Sequence, residues 1–251
     1  MIQKIIFTLL LFGISYSYSN TPSVLFENAN ALYKRAEYQK AASTYEEILK
    51  TGVASSELYF NLGNAYYKLN QIPFAILYYE RALLLAPSDE DIQTNLEMAK
   101  LKTVDKIEQL PQLAIFTWIE SLTNFMSSNL WALTSIILFG LTLLFISIFL
   151  YSKVLHIRKM SFWLSVFVLI GFITSIYFSQ KQKIKIESHG FAILVSPSIT
   201  VKSSPNENGT DLFVIHEGTK VSILSKSDTW VEIKLSDGKV GWLQEKDMII
   251  I

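Results

Sequence analysis

The 251-residue chain carries 22 Lys plus Arg against 22 Asp plus Glu, and half of its residues are hydrophobic while 18% are charged. That balance supplies neither the basic footprint a nucleic-acid partner requires nor an acidic tail. The absence of cysteine excludes disulfides, thiolate metal ligands, a thiol nucleophile and a lipid-modified N-terminal cysteine.

The N-terminus places Lys4 before a short apolar run ending at Gly13 and then Ser15-Tyr-Ser-Tyr-Ser-Asn20. It reads as a secretory signal peptide over residues 1–19, with Ser17 and Ser19 at the small-residue positions before a cut near Asn20. The alternative is an uncleaved N-terminal anchor.

An internal repeat with a period of 34 follows: Asn30 aligns with Asn64, Tyr33-Lys34 with Tyr67-Lys68, Ala41 with Ala75 and Tyr45 with Tyr79. Apolar residues recur at three and four, predicting helices over 23–35, 38–50, 55–69 and 72–85, with Gly52 ending the second and Pro73 in a first turn. Pro87-Ser88-Asp89 opens a fifth over about 89–106, with Ile92, Leu96, Ala99 and Val104 expected to face back onto the stack. The second unit, Tyr59-x2-Leu62-Gly63-x2-Tyr66 then Ala75-x3-Tyr79-x2-Ala82 and Pro87, resembles the tetratricopeptide repeat. The first, with Leu25, Asn28, Ala29, Leu32, Ala41, Tyr45 and Ile48, departs from that pattern by carrying asparagine where leucine is usual. The resemblance implies a small solenoid over 22–106, with the fifth helix as its cap or half of a third repeat. Asn30, Tyr33, Asn61, Asn64, Tyr67 and Lys68 are the candidate lining of a peptide groove on its concave face. The competing role for the asparagines is to cap or bridge turns of the solenoid.

Beyond Pro111, residues 112–126 carry Leu113, Phe116, Ile119, Leu122 and Phe125 at intervals of three, with Trp118 and the single charge Glu120. This connector, bounded as 107–129, reads as an amphipathic helix in the membrane interface, although a helix packed on the repeats has the same pattern. Leu130–Tyr151 and Met160–Ser179 are then apolar runs free of Asp, Glu, Lys, Arg and His. At 1.5 Å per residue each reaches about 30 Å, the thickness of a bilayer core, so 130–151 and 160–179 are read as transmembrane helices joined by a cytoplasmic loop, 152–159. Trp131, Tyr151, Trp163 and Tyr177 stand near their ends, where amphipathic rings prefer the headgroups. Export of the N-terminal segment puts both soluble parts outside by parity. Lys153, Arg158 and Lys159 in the loop fit that orientation, whereas Lys181, Lys183 and Lys185 argue against it.

From residue 186 the period changes to two. Phe191–Val195, Leu212–Ile215, Lys220–Leu224, Trp230–Leu235 and Val240–Leu243 are predicted strands, the last two joined by the Asp237-Gly238 turn. Val201-Lys-Ser-Ser-Pro205, Leu212, Glu217-Gly218, Val221-x-Ile-Leu224, Trp230-Val-x-Ile and Asp237-Gly-Lys-Val-Gly-Trp-Leu243 resemble the bacterial SH3-like domain, with Lys202 where arginine is frequent. The resemblance implies a small barrel over 186–251 and, in some members, binding of peptides or cell-wall material. Trp230 is expected in its core, and Trp242 is the candidate surface aromatic, with a place at the rim of the sheet as its alternative.

No catalytic, cofactor or metal site emerges. Topology separates His156 from His189 and His216, no glycine run has phosphate-loop spacing, and Ser236-Asp-Gly-Lys239 reads as a hairpin turn rather than a nucleophile motif. Acidic runs such as Glu46-Glu47 and Asp89-Glu90-Asp91 read as solvated faces and first-turn charges.

The chain is therefore expected to be a multidomain membrane protein: an all-α tetratricopeptide-like solenoid, a two-helix transmembrane hairpin and a C-terminal all-β SH3-like barrel. This order resembles the E component of the Bat aerotolerance operon of Bacteroidetes and related bacteria. The resemblance implies an inner-membrane protein with periplasmic modules, other Bat proteins as partners, and a link to oxygen or oxidative stress tolerance. A non-enzymatic scaffold in contact with membrane lipid is the leading expectation. The alternative is an envelope-sensing or cell-wall-binding module whose SH3-like domain takes peptidoglycan or a peptide.

Overall fold

The computed structural model describes residues 21–107, 113–188 and 190–251; the expected leader, Pro111 and His189 lie outside them. Two compact units divide the chain, one ending at Ala54 and one running from Ser55 to Ile251.

In the first unit, α1 (Pro22–Lys34) and α2 (Tyr38–Lys50) form an antiparallel pair closed on Leu25, Ala29, Ala41, Ala42, Tyr45 and Ile48. After α1 the chain turns through Ala36 at φ 61, where the Glu37 N–H donates to Leu32 O. Gly52 at φ +83 follows α2, since a left-handed residue there lets the last carbonyls find donors without Cβ strain.

The second unit starts with the same motif, α3 (Ser56–Lys68) against α4 (Ile72–Leu85). Ser55 Oγ caps α3 by accepting from the Leu58 N–H, and Leu58, Leu62, Ala65, Ala75, Tyr79 and Ala82 are buried in this pair. Gly63 matters by its missing side chain: a Cβ there stands 2.7 Å from the Tyr79 ring. α5 (Glu90–Lys100) is capped by Asp89 and buries Ile92, Leu96 and Ala99. It stops short of the expected residue 106 because Thr103 Oγ1 and Lys106 Nζ donate to the Lys100 carbonyl, ending the helix with side-chain donors. Val104 consequently points to solvent, 69% exposed, rather than back onto the stack.

α6 (Ala114–Asn124) precedes two long apolar helices, α7 (Ser128–Tyr151) and α8 (Leu155–Glu187), which pack antiparallel along their length. Only three residues, 152–154, join them, so His156, Arg158 and Lys159 of the expected loop lie in the first turns of α8. The seam is lined by small residues: Ser135, Thr142, Ser161, Ser165 and Ser175 are buried along it, and a Cβ at Gly171 would meet Leu138 Cδ1 at 3.5 Å. Small residues let two helices approach where lipid offers no hydrophobic drive between them. Ring pairs Trp131–Phe178, Phe139–Phe172 and Phe149–Phe162 fill the wider levels. At the open end Ser128 and Ser179 exchange hydroxyl-to-carbonyl hydrogen bonds of 3.0 and 3.1 Å. Just 11% and 22% of the two apolar stretches is buried within the chain, and by length and composition both helices are long and apolar enough to cross a membrane. α8 continues eight residues past Ser179, carrying Lys181, Lys183 and Lys185 as helix; Lys183 lies 3.7 Å from Glu187 and Lys185 lies 3.4 Å from Glu120.

Seven antiparallel strands end the chain: β1 (Phe191–Leu194), β2 (Ser198–Lys202), β3 (Asp211–His216), β4 (Lys220–Ser227), β5 (Trp230–Lys234), β6 (Val240–Gln244) and β7 (Met248–Ile250). They pair in the order β3-β2-β6-β5-β4-β1-β7. The all-β antiparallel sheet stands as expected, while closure of a barrel does not follow from an order that leaves β3 and β7 outermost. One face holds a shared core of Ala192, Leu194, Ile199, Val201, Ile215, Val221, Val231, Ile233, Leu235, Leu243 and Met248. On the other face of β1, Ile193 is fully buried and α4 packs against the strand. A strand covered on both sides has no polar alternation, which accounts for the continuous apolar run Phe191-Ala-Ile-Leu194.

Candidate functional site

The second unit brings the repeat helices and the sheet into direct contact, and its polar joints are built from residues far apart in sequence. Glu80 stands in the apolar run of α4, and its side chain, 9% exposed, lies 2.6 Å from Lys220 Nζ on β4 and 3.7 Å from Lys100 Nζ on α5. A carboxylate removed from water requires such partners. Lys220 also lies over the Phe191 ring at 4.7 Å. Beside it, Arg81 Nη2 donates to Ile250 O at 2.7 Å.

The second joint is Asp105. Its carboxylate accepts from the His216 backbone N–H (2.6 Å) and Thr219 Oγ1 (3.1 Å), and lies 2.9 Å from His216 Nδ1. Burial pushes the Asp105 carboxyl up, but the hydrogen bonds from His216 and Thr219 and the His216 charge together outweigh it and hold it below the usual range. Between the joints Gly218, at φ +83, fits against Thr103 and Ile76, and Ile107 packs on the sheet core. A cleft of about 560 Å³ remains between the modules, lined among others by Ile76, Lys100, Phe191, Thr219, Lys220 and Ser236. Sequence reading missed these contacts. The lone Glu80 on an apolar face was the available signal; Asp105 carried none.

The candidate groove residues divide between the units. In the first, the Tyr45 hydroxyl donates to Asn30 Oδ1, and Tyr33 meets Tyr38 edge-on at 5.2 Å, where burial and then Tyr38 push its hydroxyl pKa up. In the second, Asn61, Asn64, Tyr67 and Lys68 all come from α3. Asn64 Oδ1 accepts from the Tyr79 hydroxyl (2.7 Å) and from Asn95 Nδ2 (2.8 Å), so this amide braces α3 to both α4 and α5. Tyr67 carries the Lys102 ammonium 4.0 Å from its ring centroid, and Lys68 is exposed. Both repeats thus contain the same device, an asparagine accepting from the tyrosine fifteen residues on.

On the sheet, Val231 and Ile233 of β5 and Gly241 and Leu243 of β6 point inward, which turns Trp230 and Trp242 outward. Trp230 pairs with Gln244 and Glu232 with Trp242, so the two indoles stand on diagonal positions of one outer face. Trp230 is therefore half-buried on the outside, correcting its expected place in the core; the register of β5, with Val231 buried, decides it. Lys202 stands opposite Trp242 on the other side.

Comparison with known families matches two segments of the second unit. Residues 56–89 match the tetratricopeptide repeat, and residues 197–248 match the bacterial SH3 domain. No curated protein matches the chain. Both families are typically non-catalytic interaction modules, so the chain joins two such modules to a pair of helices able to cross a membrane.

Proposed function

We propose that the chain is a membrane-anchored, non-enzymatic scaffold that assembles envelope proteins, with both modules on the outer, periplasmic side of a bacterial inner membrane. The observation that carries this reading is the contact between modules: Glu80 with Lys220 and Asp105 with His216 need one aqueous compartment, and no bilayer can lie between their partners. Antiparallel packing of α7 and α8 returns the chain to the side it left, which supports the same arrangement. The resemblance of the domain order to the Bat operon component suggests other Bat proteins as partners and a role in oxygen or oxidative stress tolerance. On the repeats, the exposed side of α3 around Asn61, Tyr67 and Lys68 is the proposed contact surface. Tethering raises the effective concentration of partners in the same membrane, so weak contacts suffice to hold a complex. Pull-down of the full chain from envelopes in native detergent is expected to recover membrane or periplasmic partners. Recovery of the chain alone, while a control complex survives, refutes the scaffold.

A second reading rests on the shared outer face of Trp230 and Trp242, a surface suited to stacking on a cell-wall fragment or a peptide. Titration of the full chain with muropeptides tests it. Saturable quenching that is lost in Trp242→Ala supports it, and no saturable signal removes it. The full chain is required because Ile107 forms part of the packing around the sheet core.

A further inference from the structure

Helix α6 presents an apolar arc on which Ile115, Trp118 and Phe125 stay more than half exposed among the described residues. Ile115, Trp118, Ile119 and Leu122 follow helical spacing on one arc, continued by Phe125, while Thr117, Glu120, Ser121 and Asn124 hold the opposite arc. Ile115 is 54% exposed, Trp118 61% and Phe125 65%. The expected stripe at intervals of three, with Phe116 in it, mixes these arcs, because a helix turns in 3.6 residues.

The C-terminal end of this helix is locked to the apolar hairpin. Thr123 O, one of the carbonyls a helix end leaves unpaired, accepts from Trp131 Nε1 on α7 (3.0 Å) and from Gln182 Nε2 on α8 (2.9 Å). Gln182, 2% exposed, also donates to Asn124 Oδ1 at 3.1 Å, and Glu120, the single charge of α6, lies 3.4 Å from Lys185 on α8. Trp131 is in the first turn of the first apolar helix, at the level where an indole prefers the boundary between headgroups and acyl chains. A helix hydrogen-bonded to that indole sits at the same depth.

We propose that α6 is a lipid-binding strap: it lies in the headgroup layer on the side carrying the soluble modules, with Ile115, Trp118, Leu122 and Phe125 in the acyl boundary. The Gln182 and Trp131 joint fixes its depth and angle. With no Lys or Arg on α6, it takes a zwitterionic lipid surface by apolar insertion and has no requirement for anionic headgroups. This rests on the membrane reading of α7 and α8.

The cysteine-free chain permits a direct test. Full-length Ile115→Cys, Ser121→Cys and Ile137→Cys variants are spin-labelled and reconstituted in phosphatidylcholine bilayers, and collision with oxygen is compared with collision with a water-soluble nickel chelate. Labels at 115 and 137 are expected to favour oxygen severalfold and the label at 121 to favour the chelate. A lipid signal at 137 with 115 as chelate-accessible as 121, or with 115 shielded from both reagents, overturns the strap and leaves the membrane reading standing. A chelate-favouring signal at 137 overturns the membrane reading itself. Lipid contact at 115 that appears only when phosphatidylglycerol is added overturns the zwitterionic assignment.

Discussion

Tyr79 buries its ring between α3 and α4, 1% exposed, and its hydroxyl donates a hydrogen bond to Asn64 Oδ1. Tyr79→Phe keeps the ring and removes one neutral hydrogen bond, so it is expected to destabilise the second unit by about 1 kcal/mol in denaturant unfolding; an unchanged midpoint refutes the brace. Gly218 meets two constraints at once, φ +83 and a would-be Cβ 2.7 Å from Thr103 Cγ2. Gly218→Ala is expected to cost roughly 2 kcal/mol through the left-handed backbone and the forced contact. Adding Thr103→Ser, which removes that methyl and keeps the hydroxyl, restores only the steric share; full recovery means the backbone costs nothing. The small residues Gly63, Ala75 and Ala82 are legible because they stand where the tetratricopeptide pattern that the second unit resembles carries small residues at a helix crossing. The partner of Asn64 was not, since an amide on a helix surface accepts from whatever the neighbouring helices present, here both Tyr79 and Asn95.

Among the elements, α7 and α8 depend on close backbone approach. Ser175, 2% exposed in their seam, has no room for a branched side chain, and Ser175→Leu is expected to weaken the hairpin by roughly 1–3 kcal/mol. Thermal unfolding in detergent measures this; a midpoint equal to wild type shows that the seam tolerates bulk. Element type was readable wherever a period had room to repeat, as in the four repeat helices and the apolar runs. It failed for β7, whose Met248-Ile-Ile250 is too short to carry a period, and for β2, which was met only as a family motif. The end of α5 is not legible from periodicity, because Thr103 and Lys106 cap its carbonyls through side chains. The extension of α8 through Gln180-Lys-Gln-Lys-Ile-Lys-Ile-Glu187 follows from good helix formers, but their polarity read as the end of a span.

At the scale of the whole second unit, the joints at Glu80 and Asp105 tie the repeat helices to the sheet. The folded Asp105 carboxyl titrates below its ordinary value, so its contribution is fully present above about pH 4 and is lost as pH falls through the lowered folded value. Protease sensitivity of the sheet module is therefore expected to rise on acidification below about pH 4, and Asp105→Asn is expected to flatten that part of the profile. An Asp105→Asn profile identical to wild type removes Asp105 as the joint. Sequence by itself determined the modules and their order: the 34-residue repeat, the two membrane-length apolar runs and the change from helical to strand period are all local patterns in which each residue's environment follows from near neighbours. Only the tertiary structure decided that the modules touch, that Trp230 faces outward and that α6 is locked to the hairpin. Those facts hang on pairs such as Glu80 with Lys220, Asp105 with His216 and Thr123 with Gln182, separated by 140, 111 and 59 residues. No periodicity spans such distances, and a buried charge or an unpaired carbonyl selects its partner from what folding brings near.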